Sequence, residues 1–293
     1  MGRSVWGGLA LAGLLAAGTA ARGETILFVG NSFTYGATSP VKPYRAETVN
    51  DLNHQGIGGV PALFKAFTAQ VGLDYQVSLE TAPGMGFDFH YDQKLATIAK
   101  PWDTVILQGH SMLDAQAPGD PAKLVKYAGL LAGELTRANP QARLYLTATW
   151  SRADMTYPPD KPWSGKPIEA MAGDVRAGYD LAKASTPSVR AVLPVGEAWT
   201  RAMHEGVADP NPYDGVAFGQ VDLWGWDHYH ASAYGYYLEA LVIFGGVTGR
   251  DPRVLGEKEP CAVDLGLSPA QAKALQLVAY EELAAQGLLT AAP

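Results

Sequence analysis

Cysteine is almost absent from this 293-residue chain, in which Cys261 is the only one. A single thiol excludes an intrachain disulfide, so the fold must be stabilised by its core, and a chain of this length can bury enough apolar surface to do so. Cys261 lies in a proline-containing segment without an adjacent base. We therefore expect it to be a half-buried packing residue rather than a nucleophile.

Charged residues are also scarce, and no basic cluster stands out. They make up 17% of the chain, with 22 basic and 29 acidic residues and a formal net charge of -7. Without a basic patch the chain lacks the usual means of binding phosphate backbones, so we expect no nucleic-acid partner. The 47% of hydrophobic residues is typical of a globular protein with a substantial core and excludes a disordered chain.

One long apolar run stands at the N-terminus. Residues 5–17 are rich in Leu, Ala and Gly, follow Arg3 and precede a group of small residues. This pattern is typical of a secretory signal peptide, here residues 1–21, and the run is short for a membrane span. We expect an exported protein, periplasmic or extracellular, with no stable membrane insertion after signal removal. An uncleaved anchor is the alternative.

Repeats and low-complexity segments are absent, and apolar runs alternate with helical patterns. This alternation predicts an α/β protein, a three-layer α/β/α sandwich whose sheet of about five parallel strands is covered on both faces. We expect a single domain over residues 24–293 with a C-terminal helical extension at about 268–286. The strands are predicted at residues 25–29, 75–82, 104–108, 143–149 and 189–195, and the other helices at 60–71, 121–138, 167–184 and 231–245.

A serine follows the first predicted strand. The strand stops at Gly30, and Ser32 comes two residues later. Open α/β sheets build their sites at the carboxyl ends of strands, so Ser32 is a candidate nucleophile. A serine in this place is also common in turns and helix caps. The assignment therefore depends on partners elsewhere in the chain.

A base and its orienting carboxylate occur late in the sequence. Hydrolysis by a serine needs a base, a group that holds the base, and donors for the oxyanion. Asp227 and His230 are three residues apart, a spacing that can point both side chains the same way. His228 is a second choice because it is adjacent to Asp227. A cap on the following helix is the alternative role for His230.

Candidate oxyanion donors follow two other predicted strands. Gly84 and Gly86 come after the second strand, and a glycine lets backbone N–H approach a ligand closely. Gln108 ends the third strand, and its amide can donate to the same oxygen. We therefore predict that Ser32, a glycine and Gln108 meet at one edge of the sheet.

These segments resemble the conserved blocks of the SGNH (GDSL-like) hydrolase superfamily. Residues 30–34, Gly-Asn-Ser-Phe-Thr, resemble its first block, with Asn31 where Asp is commoner. Residues 227–230 match its last block, Asp-X-X-His, and Gly84 or Gly86 stands where the glycine of the second block is expected. The resemblance covers roughly residues 25–252.

The third block departs from the family pattern. It usually reads Gly-X-Asn-Asp, whereas residues 108–111 read Gln-Gly-His-Ser, which leaves Gln108, His110 and Ser111 open as the donor. Related branches carry a Gln-Gly pair there, which favours Gln108. The run at residues 231–238 resembles a poorly characterised, secreted bacterial branch of the superfamily.

The resemblance implies a flavodoxin-like fold and metal-independent hydrolysis of an ester, often an acetyl group on a carbohydrate or a lipid acyl chain. In the reaction it implies, Ser32 attacks the carbonyl, His230 is the base and Asp227 orients it. The backbone N–H groups of Ser32 and Gly84 and the amide of Gln108 would hold the oxyanion. No cofactor is called for, and the partner is a small-molecule or glycan ester.

Further residues are candidates for the substrate wall, and Asn31 is expected mainly to fix the turn around Ser32. Three long connections, at residues 35–59, 151–166 and 209–226, are typical of site walls or lids. The predicted substrate contacts are Asn31, Gly86, His90, Trp150 and Trp226, with packing as the alternative role of His90.

Two other functions compete with an esterase. A zinc site could use His228 and His230 with Asp227, His90 or Asp88, although no His-Glu-X-X-His motif supports it. A secreted glycan-binding protein on a hydrolase scaffold, without turnover, is the second alternative, because tryptophans in the long loops can stack on sugars. The acyl group, the alcohol and the oligomeric state stay open.

Overall fold

The computed structural model describes residues 1–2 and 23–289 of the chain. Apart from its first two residues, the predicted signal peptide at 1–21 lies outside this range, so export stays a prediction. Among the described residues, no helix is both long and apolar enough to cross a membrane.

One parallel sheet of six strands organises the described part of the chain, in the order β2-β3-β1-β4-β5-β6. The α/β class is confirmed, but there is one strand more than predicted. The extra strand, β2, has only two polar residues paired with Ser78 and Leu79, too short for a periodicity signal. The strands are β1 Glu24–Gly30, β2 Asn50–Asp51, β3 Tyr75–Thr81, β4 Thr104–Leu107, β5 Arg143–Ala148 and β6 Val189–Pro194.

The strand order places a topological switch point beside the carboxyl end of β1. Without the short β2, the order of the other five strands is that of flavodoxin-like folds. After β1 the chain first forms β3 on one side of β1 and then crosses to form β4 on the other side of β1. Ligands of open α/β sheets bind in the crevice at such a point. Ser32 and Gln108, which follow β1 and β4, lie at this crevice.

Helices occur at every predicted place and also at five places that were not predicted, of which α3 and α7 are the two longest. The α3 sequence buries only Phe87, His90 and Ile98 and so lacks a continuous apolar stripe. The α7 helix follows β6 without a loop, which conceals its start. The helices are α1 Ser32–Tyr35, α2 Gly59–Gln70, α3 Phe87–Ile98, α4 Ala122–Ala138, α5 Ala153–Thr156, α6 Glu169–Ser185, α7 Val195–His204, α8 Ala233–Thr248, α9 Pro260–Asp264 and α10 Pro269–Ala285, with 3-10 turns at Ala46–Thr48 and Pro252–Leu255.

Two hydrophobic clusters cover the two faces of the sheet. Side chains of β1 alternate between them, with Ile26 and Phe28 in one cluster and Leu27 and Val29 in the other. Helices α2, α7, α8 and α10 contribute to the first cluster, and α3, α4 and α6 to the second. The predicted three-layer sandwich is therefore confirmed.

A pair of helical glycines tests this packing. Gly235 lies in the first turn of α8 against the core, where an added Cβ would lie 2.3 Å from the backbone oxygen of Leu223 and 2.4 Å from the Trp199 ring. We expect Gly235→Ala to lower the free energy of unfolding by about 1–3 kcal/mol through overpacking. The exposed Gly133 of α4 has open space around such a Cβ. Gly133→Ala should therefore stabilise the protein by about 0.5–1 kcal/mol.

Urea unfolding of the wild type and both variants measures these changes. A Gly235→Ala variant as stable as Gly133→Ala would contradict the close packing of α8 against the segment that precedes it.

Candidate active site

Ser32 is the first residue of α1, a four-residue helix that starts directly after the β1 turn. Asn31 caps this helix, accepting a hydrogen bond from the backbone N–H of Phe33 at 3.1 Å. Gly30 is required here because a Cβ would lie 2.1 Å from Thr34 Oγ1. Ser32 is 4% exposed, and its backbone N–H has no acceptor among the described residues. The turn therefore presents both a hydroxyl and a free N–H donor.

The side chain of Asn31 joins the three segments predicted to form the site. Its Nδ2 donates to the carbonyls of Met85 at 2.9 Å and Gly109 at 3.0 Å. Its backbone N–H donates to Gln108 Oε1 at 3.0 Å. Both amide hydrogens are thus used inside the protein, and Asn31 is 2% exposed. Asn31 fixes the turn as expected, but its amide is not available as the predicted substrate contact.

Gln108 takes part in the same arrangement, and its geometry does not support the predicted oxyanion role. The amide oxygen accepts from the Asn31 N–H and from Thr34 Oγ1, each at 3.0 Å. The amide nitrogen donates to the carbonyl of Gly109, and Gln108 is 1% exposed. Since a backbone N–H can only donate, the oxygen must face Asn31. Gln108 therefore holds the Ser32 turn rather than facing a ligand.

Asp227 and His230 form a hydrogen-bonded pair. His230 Nδ1 lies 2.7 Å from Asp227 Oδ2, and Asp227 Oδ1 accepts from the backbone N–H groups of Tyr229 and His230. Burial alone would raise the pKa of Asp227, but these hydrogen bonds and the nearby imidazole lower it below its usual range. An ionised Asp227 keeps the proton of neutral His230 on Nδ1 and leaves Nε2 as an acceptor.

The other nitrogen of His230 is free. Nε2 is buried and has no hydrogen-bond partner among the described residues, Ser32 Oγ included. The alternative that His230 caps α8 is wrong, because Ser232 is the cap. His228 adopts a left-handed backbone conformation with φ 54° and packs against the ring of Tyr213 at 4.3 Å. His230 is therefore the histidine that Asp227 holds.

Aromatic packing brings the Ser32 turn to the Asp227–His230 segment. The ring of Phe33 lies 5.8 Å from the His230 ring and stacks on Trp150 at 4.2 Å. The hydroxyl of Tyr236 donates to the backbone oxygen of Ser32 at 3.2 Å. Two segments about 200 residues apart in sequence thus meet at the carboxyl end of β1.

Trp150 and His90, predicted as substrate contacts, are core residues. Trp150 is fully buried between Phe33 and Trp199, and its indole N–H donates to the backbone oxygen of Tyr229. His90 is also fully buried, so packing, the alternative role, is the one observed. By contrast, Trp226 is 79% exposed beside Asp227.

A cleft of about 370 Å³ opens next to the Gly84–Gly86 loop. The N–H groups of Gly84 and Gly86 have no acceptor among the described residues, and Gly84 has a φ of 70° that favours glycine. Ser32 and His230 lie outside the cleft lining, which is about equally polar and apolar. It includes Asp88, Asp92, Gln93, His110, Asp114 and Lys123.

Arg152 is a site residue that the sequence did not reveal. Its guanidinium lies 3.5 Å from the centre of the Tyr229 ring, which itself packs on His230. Two of its nitrogens bind Asp154 at 3.0 and 2.7 Å, and the Asp154 N–H donates to the His228 carbonyl. Arg152 thus supports the Asp227–His230 segment, a role that a lone arginine in a loop does not signal.

Glu80 and His90 form a second, fully buried pair, in which His90 Nδ1 lies 2.5 Å from Glu80 Oε2. Asn53 donates to the other oxygen of Glu80, and Lys94 lies 3.6 Å from it. Burial alone would raise the pKa of Glu80, but His90, Asn53 and Lys94 together lower it. The pair links β3 to α3 and so fixes the ends of the Gly84–Gly86 loop.

No group of three or more His, Cys, Asp or Glu side chains within residues 1–2 and 23–289 is arranged to hold a metal ion.

No protein-family model matches the chain, and no curated protein matches it in sequence. Among solved structures, a DUF4886 family protein from Bacteroides uniformis matches with a TM-score of 0.64 at 17% identity, over 92% of this chain and 98% of that one. A protein from Parabacteroides merdae described as a GDSL-like lipase matches with a TM-score of 0.52 at 15% identity, over 77% of this chain and 95% of that one. The chain thus has the predicted SGNH-type hydrolase fold.

The buried pair of Glu80 and His90 gives a prediction about how stability depends on pH. Because the folded-state pKa of Glu80 is lowered, its stabilisation is complete above the ordinary glutamate pKa of about 4.3 and is lost as the pH falls through the folded-state value. At pH 7 we expect Glu80→Gln to lower the free energy of unfolding by about 1–3 kcal/mol, because it replaces a buried carboxylate that is hydrogen-bonded to His90 and Asn53.

The difference in unfolding free energy between Glu80→Gln and wild type should narrow as the pH is lowered below about 4. Denaturant unfolding between pH 3 and pH 7 measures it, with the exposed Glu47→Gln as the matched control. A difference that does not change over this pH range would contradict a charged Glu80 in the folded state.

Proposed function

We propose that the protein is a serine esterase in which Ser32 is the nucleophile, His230 the base and Asp227 the residue that orients the base. The single observation that carries the proposal is the free, buried Nε2 of His230. Asp227 binds the other nitrogen of this ring, and the ring lies next to the Ser32 turn. A base with one nitrogen bound to a carboxylate and the other unoccupied is what serine hydrolysis requires.

The reaction would proceed through an acyl-enzyme. His230 Nε2 takes the proton of the Ser32 hydroxyl as Oγ attacks the ester carbonyl, and the same proton then passes to the leaving alcohol. Water, activated by His230, releases the acid and restores Ser32. The hydrogen bond from Ser32 Oγ to Nε2 would form when substrate binds, since such bonds are often long in unliganded enzymes.

The backbone N–H groups of Ser32 and Gly84 are the proposed donors to the carbonyl oxygen. Both lack an acceptor among the described residues, which leaves them able to bind a developing negative charge. Donors of this kind, fixed by the backbone, need no rearrangement during the reaction. Asn31 and Gln108 would hold the two loops that carry them at a fixed distance.

A carbohydrate carrying a short acyl group such as acetyl is the proposed substrate. The cleft beside Gly84 is lined by carboxylates, amides and Lys123 as well as by apolar side chains, and its polar groups suit the hydroxyl groups of a sugar. Trp226 exposes its ring beside Asp227, where it could stack on a sugar. The same exposed ring favours the second candidate, a glycan-binding protein without turnover.

Hydrolysis of 4-nitrophenyl acetate tests the assignment. We expect Ser32→Ala and His230→Ala each to lower kcat by at least about 10³-fold, because either change removes the attacking hydroxyl or its base. His228→Ala is the matched control and should stay within about threefold of wild type. Full activity in Ser32→Ala would exclude Ser32 as the nucleophile. A wild type that is inert on esters but binds glycans would favour the second candidate.

The carbohydrate part of the proposal predicts a selective effect of Trp226. We expect Trp226→Ala to raise KM for acetylated xylo-oligosaccharides by about 3- to 10-fold, the value of one aromatic stacking contact, and to leave KM for 4-nitrophenyl acetate unchanged. Leu181→Ala, another exposed apolar residue, is the control. Equal effects on both substrates would argue against sugar stacking on Trp226.

A further inference from the structure

We propose that the imidazole of His110 donates its Nε2–H to the substrate carbonyl oxygen and completes the oxyanion site with the backbone N–H groups of Ser32 and Gly84. This inference rests on the proposed esterase function. It assigns a catalytic contact to a side chain that lines the cleft beside the Gly84–Gly86 loop.

A backbone contact fixes the tautomer of His110. The N–H of Met112 lies 3.2 Å from His110 Nδ1 and points its hydrogen at that nitrogen. Since a backbone N–H can only donate, Nδ1 must be the unprotonated nitrogen of the ring. In the neutral imidazole the hydrogen is therefore on Nε2, which makes Nε2 a donor and prevents it from acting as a second base.

The surroundings of His110 keep the ring neutral. Burial and the positive charge of Arg152 lower its pKa, with a smaller contribution from Lys123, and they outweigh the opposing effects of Asp114 and Asp88. A neutral imidazole can stabilise a developing oxyanion by hydrogen bonding without carrying a charge that must first be desolvated.

The position of His110 follows from the hydrogen bonds of Asn31. The carbonyl of Gly109 accepts a hydrogen bond from Asn31 Nδ2 at 3.0 Å. Because Asn31 precedes Ser32 and Gly109 precedes His110, this bond brings the two segments together. On its other side, a Cβ placed on Gly86 would be 3.6 Å from the His110 Cβ. His110 thus lies between the two loops that carry the backbone donors.

The neighbouring side chains are less suited to this role. The amide of Gln108 is hydrogen-bonded to Asn31, Thr34 and the Gly109 carbonyl. Ser111 is 2% exposed and lies outside the cleft lining. Of the three donors left open by the sequence, His110 is the one that lines the cleft.

Two substitutions separate oxyanion donation from a structural role. Gln places an amide nitrogen near the position of imidazole Nε2, whereas Asn places an amide oxygen near Nδ1 and keeps an acceptor for the Met112 N–H. On 4-nitrophenyl acetate we expect His110→Gln to retain kcat within about tenfold. His110→Asn and His110→Ala should lower it by about 10²- to 10³-fold, with KM within about threefold of wild type. A structural role predicts the reverse order, with Asn the better replacement.

Inhibition by phenylboronic acid gives an independent readout, because its tetrahedral adduct with a serine places an oxygen where the oxyanion forms. Inhibition should weaken in His110→Asn and persist in His110→Gln, while thermal unfolding of both stays close to wild type. Wild-type kcat in His110→Asn, or an equal loss in both variants, would overturn this assignment and leave the esterase function standing. A wild type inert on every ester would instead overturn the proposed function, and this assignment with it.

Discussion

The rest of the candidate site depends on the hydrogen bonds of Asn31. A single amide, buried behind the first turn, binds the carbonyls of Met85 and Gly109 while the backbone of the same residue binds Gln108. These contacts hold together the loops that follow β1, β3 and β4. Buried polar groups must be paired to be tolerated, so the three loops have little freedom to move apart.

A second set of contacts brings in the Asp227–His230 segment, whose position is determined by packing rather than by the sheet. Trp150 stacks between Phe33 and Trp199 and donates a hydrogen bond to the backbone of Tyr229, while Arg152 covers the Tyr229 ring. Aromatic stacking and a buried guanidinium thus position the imidazole, and Asp227 selects its tautomer. Core packing therefore determines where the His230 ring lies, and Asp227 determines which of its two nitrogens carries the proton.

The polar residues around the site divide into those that hold it and those that face the cleft. Gln108, His90 and Glu80 are buried with their hydrogen bonds directed into the protein. His110 and Trp226 reach the cleft or the solvent. Residue type did not separate the two groups, since each contains a histidine. A side chain's orientation depends on contacts with residues remote in sequence, which local pattern does not encode.

The sequence by itself determined the layered α/β architecture, the helix that begins after Ser268 and the pairing of Asp227 with His230. Periodicity, capping residues and a three-residue spacing are local properties, so they can be read along the chain. Tertiary structure alone decided that Trp150 is core, that Gln108 faces Asn31, and that the two-residue β2 joins the sheet. These outcomes depend on which distant groups compete for each hydrogen bond and each buried volume, and that competition is settled only when the chain is folded.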